Sequence, residues 1–505
     1  MTIDYIRTLV QPPSTLVLPD DNGSMGFSVA LLYDEIRNHI IVGSPWKTHD
    51  YGGGPFWSGG VYIIDSNDGS LIQEILPTDP VDQDDWADFG IRIAQDGNWL
   101  VIISPKRNVL GHIDIGGVYF WEWTGATYVF RQRLTGNGAA LSTDFGSSVG
   151  ISGSLCVVGD RKTDISGTDS GTIHVFRESG GVWSEDVAAK TNAPTVQDFQ
   201  YFGHAVDVDG QYIAVSANQF WGDHNDQGRA YIFKDAGLGN ALILQDTLLA
   251  TTIDAAHDIF GDSISLDNGY CGVGWQAYDQ PGSPPTTNEG RIEIFKRSGV
   301  SWPHHQSLDL PENSIYTKAN LGFGNHTSGS VSLSGLYLLG GARGWTAPPA
   351  PSGWRGAGFL WKRNTITDFY EPVLCTDSSY AIYPGALAEF GASVAVCSDG
   401  RIAIGGYAEW GDWASNHALP EGPPPAWSYL GTVRLYEIPP PPESPVASGF
   451  LVSSSALEEV SIEIEQYLTK MHPVTKRRLE GWKWDEVIWP GEDEDNNSDK
   501  EEEDF

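Results

Sequence analysis

The apolar positions of this chain fall in short runs, and the runs recur in one order. At 144–160, DFGSSVGISGSLCVVGD, an aromatic and a glycine lead into an alternating segment. A tight SGS turn follows, and a continuous apolar run closes the phrase. Alternation predicts a half-buried strand, and a short apolar run bounded by turn signals predicts a strand buried on both faces. Copies begin as MGFSVALL at 25, FGIRIAQDG at 89, FGHAVDVDG at 202, FGDSISLDNG at 260, FGNHTSGSVSLSG at 323 and FGASVAVCSDG at 390, in steps of 56 to 67 residues.

Two further landmarks keep register with the first. The apolar run recurs as IIVGSP, LVIISP, LCVVGD, YIAVSA, YCGVGW, YLLGGA and RIAIGG. A glycine-led strand then recurs as GGVYII, GGVYFW, GTIHVF, GRAYIF, GRIEIF, GAGFLW and GTVRLY. A more polar fourth segment follows in most copies, as in YVFRQRLTG and HHQSLDLP. Each unit therefore reads as four antiparallel strands, A to D. A lone sheet of this kind cannot bury both faces, so the units must stack on one another. The expected fold is all-β: a seven-bladed β-propeller of four-stranded antiparallel blades. The last unit runs from GTVRLYEI straight into PPPPESP and has no strand D of its own. The N-terminal YIRTLV (5–10) resembles the other D strands and is expected to close the ring as the outer strand of the last blade, which hides exposed edges.

Composition narrows the class. Asp plus Glu number 66 against 30 Lys plus Arg, a formal charge of −36. Phosphate binding needs a basic footprint, so nucleic acid is not an expected partner. An anionic membrane surface would repel the chain. MTIDYIRTLVQPPS has neither a basic n-region nor an apolar h-region, and no stretch approaches the length of a membrane span, so neither an export signal nor a membrane segment is expected. The cysteines Cys156, Cys271, Cys375 and Cys397 lack metal spacing. Buried free thiols are expected, with a Cys375–Cys397 disulfide as the alternative.

The motif FG-x-S-V, followed by V-G-[SD] and by G-x-[VIA]-Y-[IV]-F, resembles the FG-GAP repeat of integrin α-subunit propellers, in the variant without calcium loops. The resemblance covers about residues 5–438. It implies the propeller fold and an interaction role. Integrin-type repeats carry a D-x-D-x-D-G calcium loop between strands A and B. Here that link is SGS, DGQ, DNG, SGL or SDG, which fits two-residue hairpins. Asp207 and Asp209 are the nearest remnant, and two carboxylates fall short of the oxygens calcium takes. Asp34 and Glu35 in the first link are adjacent rather than alternating. No metal and no cofactor are expected. Kelch propellers are the rival label, but only LLGGARGW and IAIGGYAEW carry that family's glycine doublet and aromatic.

Candidate function lies in the B–C links, which share one face of the disc with the D–A links and are long. Trp46, Trp57, Trp221, Trp345, Trp354, Trp410, Trp413 and Trp427 fall in them, with Trp275 at the edge of one. Aromatics so placed anchor protein partners or stack on sugar rings, or else they pack loop against loop. In blade three this loop opens at Arg161. The D–A loop 79–90 adds Asp82, Asp84, Asp85 and Asp88, read as solvated turn residues, with a cation site as the alternative. No G-x-S-x-G elbow occurs (GSSVG at 146–150 has the spacing but lies in a predicted strand A), nor an H-E-x-x-H or complete P-loop motif, so no catalytic residue and no enzyme activity is expected.

The expected domains are the propeller over 1–440, a Pro-rich linker over 441–450, a helix and Trp-rich docking segment over 451–490, and an acidic tail over 491–505. Within the third, Ser455 and Glu458 form a capping box, and Leu457, Val460, Ile464, Leu468 and Met471 line one helix face, a candidate docking surface. The tail carries nine acidic residues and one lysine, a solvated composition. The functional expectation is a non-enzymatic interaction or structural protein of a virion (phage tail, fibre or capsid surface), made in the cytoplasm and oligomeric in its assembly. Its expected partners are other structural proteins or a host-surface protein or glycan. A carbohydrate-binding adhesin and a glycan-active propeller enzyme are the alternatives.

Overall fold

The computed structural model describes residues 4–10, 24–34, 37–50, 55–77, 88–105, 116–136, 144–165, 167–220, 227–251, 259–276, 278, 290–310, 330–343, 345, 356–373, 390–406 and 432–437. Two compact units divide the chain, Met1–Pro439 and Pro440–Phe505. The second, which includes the docking-helix candidates and the acidic tail, lies outside the described residues.

The first unit is seven four-stranded antiparallel sheets, each in the order A-B-C-D. Blade one is Ser28–Tyr33, Asn38–Ser44, Gly60–Asp65 and Leu71–Ile75. Blade two is Arg92–Asp96, Trp99–Ser104, Gly117–Trp123 and Tyr128–Leu134. Blade three is Phe145–Ser152, Leu155–Asp160, Thr172–Ser179 and Val182–Glu185, with Thr191–Asn192 added beside strand C. Blade four is Phe202–Asp209, Tyr212–Ala217, Arg229–Lys234 and Ile243–Leu248. Blade five is Phe260–Asp267, Tyr270–Trp275, Arg291–Lys296 and His304–Leu308. Blade six is Val331–Ser334, Tyr337–Ala342, Ala357–Arg363 and Tyr370–Pro372. Blade seven is Phe390–Val396, Ile402–Gly406 and Thr432–Glu437, completed by Asp4–Val10. That last strand pairs antiparallel with Thr432–Glu437, from Asp4 opposite Glu437 to Val10 opposite Thr432, so the N-terminus closes the ring as its sequence predicts.

The core is divided among the joints between blades. Strand B shows why its sequence is apolar throughout: successive side chains point to opposite faces, and both faces are covered. Cys156 and Val158 pack toward blade two, while Val157 packs toward blade four. Seven such layers occur, one per neighbouring pair. The layer of Met25, Ile40, Val42, Ala403, Val433 and Leu435 joins blade seven to blade one. Burial of one aliphatic side chain in such a layer stabilises by about 1.5–3 kcal/mol. Cys156 and Cys271 are buried thiols, and Cys397 is also free, so it forms no disulfide with Cys375.

The three repeated glycines meet at one joint, seen clearly between blades three and four. Gly203 of the FG pair sits at φ +89°. Its carbonyl accepts the hydroxyls of Ser147 (3.0 Å) and Ser148 (2.8 Å) from blade three. A Cβ on Gly159 would collide with that carbonyl, and one on Gly171 with the carbonyl of Phe202. At this joint the FG pair, the strand-B glycine and the glycine before strand C are therefore parts of one contact with no room for a Cβ, while Ile103 and Ser216 stand at the strand-B position of blades two and four. Ser28 to Gly90 (2.8 Å) and Ser393 to Gly26 (2.7 Å) repeat the hydroxyl bond at other joints.

The A–B links are knitted together as well. The hairpins at 97–98, 153–154, 210–211, 268–269 and 335–336 are two-residue turns. At four joints the residue before the turn accepts the turn N–H of the next blade: Asp96 from Gly153 (2.6 Å), Ser152 from Gly210 (3.1 Å), Asp209 from Asn268 (2.8 Å) and Asp267 from Gly335 (2.8 Å). Asp207 likewise accepts from the Leu266 N–H and the Ser265 hydroxyl. The carboxylates of DVDGQY thus act as clasps between blades.

Candidate functional site

The opposite face, where B–C and D–A links emerge, is built differently. A cavity of about 300 Å³ opens there, lined chiefly by Phe27, Trp46, Asp88, Arg92, Asp144 and Arg161. These residues come from corresponding segments of blades one to three. Trp46 and Arg161 begin B–C links. Asp88 and Asp144 end D–A links just before FG. Phe27 and Arg92 lie at the start of strand A. A central channel of about 210 Å³ continues inward, lined by strand-A residues such as Ser28, Arg92, Ser148 and Asp207.

Both cavity carboxylates sit on left-handed backbone, Asp88 at φ +54° and Asp144 at φ +59°. Ser24, Tyr201 and Ile259 share this conformation at the equivalent positions, the last a β-branched residue for which it is strained. Asp88 is buried, which corrects its reading as a solvated turn residue. Asp82, Asp84 and Asp85 lie outside the described residues.

Arg92 replaces the serine of the FG-x-S pattern. Its Nε donates to the Ser147 carbonyl (3.1 Å), another guanidinium nitrogen donates to the Ile91 carbonyl (2.7 Å), and the group lies 5.8 Å over the Phe27 ring. Burial and the nearby Arg161 push its pKa down to about 9 against the pull of Asp88, Asp262 and Asp144, so it stays charged at neutral pH. Arg161 Nε and Lys162 Nζ each stand 3.0 Å from Asp144 Oδ2. Burial raises the Asp144 pKa, but these two cations outweigh it and hold the carboxyl below its usual value.

Arg161 also stands 3.3 Å from His204 Nδ1, whose Nε2 faces Asp262 Oδ1 at 3.3 Å. Asn218 donates to the same Asp262 oxygen (3.4 Å). Burial lowers the His204 pKa despite Asp262, which keeps the ring neutral. Because a guanidinium can only donate, Nδ1 is the acceptor and Nε2 carries the proton. A line of polar groups across blades three, four and five therefore holds Arg161 in place. Among the described residues, no group of three or more His, Cys, Asp or Glu is arranged to hold a metal ion, and no helix is long and apolar enough to cross a membrane.

The tryptophan candidates separate. Trp46 lines the cavity, half-buried, and meets Phe27 edge-on at 5.5 Å. Trp275 and Trp345 are buried, so at these positions packing is the correct reading: Trp275 packs on Tyr278 (4.6 Å) and Trp345 on Phe359 (6.2 Å). Trp275 ends its strand B and Trp345 lies three residues beyond the end of its own. Trp57 ends a small hairpin, Thr48–Asp50 with Pro55–Trp57, and its side chain lies outside the described residues. Trp221, Trp354, Trp410, Trp413 and Trp427 lie outside them too. Sequence reasoning passed over Arg92, Asp144, His204 and Asp262. The available signal was departure from the repeat: arginine for serine in FGIR, and ionisable residues after FG in FGH and FGD.

The fold and its joints define a seven-bladed β-propeller with glycine-locked blades. An FG-GAP repeat model matches residues 125–176, which span strand D of blade two through strand C of blade three. The chain is thus a seven-bladed propeller with one segment that matches the FG-GAP repeat. No curated protein matches it. Among solved structures, a candidate 6-phosphogluconolactonase from Bacteroides uniformis is similar at 13% identity, over 71% of this chain and 87% of that one, with a TM-score of 0.42.

Proposed function

We propose that this protein is a non-enzymatic recognition component that engages its partner at the channel mouth on the B–C face. The carrying observation is the difference between the two faces. On one, two-residue turns are clasped blade to blade. On the other, a cavity combines a half-buried tryptophan with arginines and carboxylates fixed by their own network. Rigid scaffolds with adaptable rims of this kind bind through the rim. The FG-GAP architecture supports an interaction role. Within this reading the partners are structural proteins of a larger assembly or a surface that the assembly meets, and a virion is the proposed setting.

The test is co-sedimentation of the tagged full chain with particles from producing cells. The unaltered protein is expected to travel with them, and the Trp46→Ala/Arg161→Ala variant to be lost. Free purification of the unaltered protein overturns the virion setting. Unchanged partners for the folded variant overturn the use of the mouth.

A further inference from the structure

Resting on that reading, we infer that the mouth cavity takes a neutral sugar ring, so that the partner is recognised through an uncharged glycan. Three observations converge on this chemistry.

The first is charge. Of the cavity residues, Arg92 and Arg161 are cationic and Asp88 and Asp144 anionic, so the wall has no net charge. Arg161 is opposed by Asp144, which it shares with Lys162 outside the lining, and Arg92 lies within the field of Asp88. An incoming carboxylate or phosphate would lose its hydration and compete with Asp144 for these cations, and an ammonium or guanidinium would have to displace them. A neutral ligand incurs neither cost.

The second is the mixture of surfaces. Phe27, Trp46 and Pro105 supply an apolar wall, while Asp144 and Arg161 supply an acceptor and donors whose geometry is planar and fixed. A purely apolar side chain would satisfy the first and leave the charged groups dry. A pyranose satisfies both: one face of its ring is C–H and packs on an aromatic, and its edge carries hydroxyls that donate and accept. The size agrees, because about 300 Å³ stands at the lower end of ligand pockets and suits one ring rather than a peptide segment.

The third is preorganisation. Arg161 is held by Asp144 on one side and by His204, backed by Asp262, on the other. Both cavity carboxylates sit on left-handed backbone. A wall fixed before binding spends less of the contact energy on ordering.

The experiment is binding of the full chain to an array of neutral, sialylated and sulfated glycans, followed by calorimetry with the methyl glycoside of the best neutral sugar. Saturable binding to neutral sugars is expected, with an affinity that barely changes from low to high salt. Trp46→Ala should weaken it at least about tenfold, as should Arg161→Lys, which keeps the charge and removes the planar fork. Unchanged melting temperatures show that each variant is folded, and Arg161→Lys serves if Trp46→Ala is not. His204→Phe, which removes only the support of Arg161, should raise the dissociation constant without abolishing binding. Preference for acidic glycans with steep salt dependence overturns the inference. So does neutral-sugar binding indifferent to Trp46 and Arg161, or no sugar binding at all. Failure on sugars alongside mouth-dependent co-sedimentation would sink the inference and leave the mouth as the docking site.

Discussion

Blades three and five solve the same local problem with opposite charges. Each buries an ionisable side chain at the fourth position of its glycine-led strand C: His174 in GTIH and Glu293 in GRIE. Each takes its partner from the same register position of strand D, Glu185 opposite Phe176 and His304 opposite Phe295. The imidazole–carboxylate distance is 2.7 Å in both. Histidine and glutamate have simply exchanged strands. The surroundings differ more than the pair does. His174 is fully buried and has a second carboxylate at its other nitrogen, Asp160 Oδ2 at 3.4 Å. Glu293, also fully buried, accepts in addition the hydroxyls of Thr251 and Ser307, each at 2.7 Å, and stands 3.7 Å from Arg291. One cation therefore serves two carboxylates in blade three, whereas one carboxylate is served several times over in blade five. A pair's importance follows from how replaceable its members are, and much less from its distance.

The largest expected effect separates the two on that ground. His174→Leu removes the imidazole between Asp160 and Glu185 and leaves the fully buried Asp160 carboxylate facing an apolar side chain, and should cost about 3–5 kcal/mol. His304→Leu leaves Glu293 with its hydroxyls and Arg291, and should cost about 1 kcal/mol. Urea unfolding of the two variants measures the gap; equal losses would show that the extra partners of Glu293 contribute nothing. Next in size is the exchange itself. His174→Glu alone brings three carboxylates together, and adding Glu185→His should recover about 0.5–3 kcal/mol of the damage. Recovery should stay incomplete until Asp160→Ser is added, since blades one and two carry Ser44 and Ser104 at that position.

A smaller effect concerns pH. Burial opposes protonation of His174, but Asp160 and Glu185 outweigh it and raise its pKa above the ordinary 6.5. Folding therefore favours the protonated ring. Its stabilisation is complete below 6.5 and is lost as pH rises through the folded value. His204 runs the other way: its pKa is lowered, chiefly by burial, so stability falls as pH drops below 6.5. Melting temperature against pH should thus decline on the alkaline side of 6.5 for the parent chain. His174→Gln should flatten that limb and leave the acid limb standing. A parent curve flat above 6.5 would mean that His174 is neutral in the fold.

The comparison also shows what a sequence makes legible. Blade number, strand order and the closing N-terminal strand are written in local pattern: period-two alternation, runs buried on both faces, and glycines wherever two carbonyls crowd one joint. Those signals need no knowledge of neighbours. The exchange between His174–Glu185 and Glu293–His304 keeps one separation, 11 residues in both blades, yet it is visible only once the strands are paired, because many acidic residues and histidines stand at comparable distances in the chain. The cavity is harder still. Phe27, Arg92, Arg161, His204 and Asp262 are far apart in sequence and meet only because the ring brings equivalent loop positions side by side. Tryptophan count was a partial guide: Trp46 lines the cavity, whereas Trp275 and Trp345 are buried. What marked the site was a break in the repeat, and a break can be read only after the repeat has been explained.

The smallest expected effect lies at the far end of the same two blades. Their C–D turns end in exposed aliphatics, Val182 at 58% exposure and Val300 at 72%. Neither belongs to a core layer: Val182 opens strand D of blade three and Val300 lies in the turn before strand D of blade five. Val182→Ser and Val300→Ser should each shift stability by less than about 0.5 kcal/mol. The two should match each other, unlike the buried pairs a few residues away. A loss above about 1 kcal/mol at Val182 alone would mean that the tip of blade three is covered in solution, and the contrast between the blades would then extend from their buried charges to their rims.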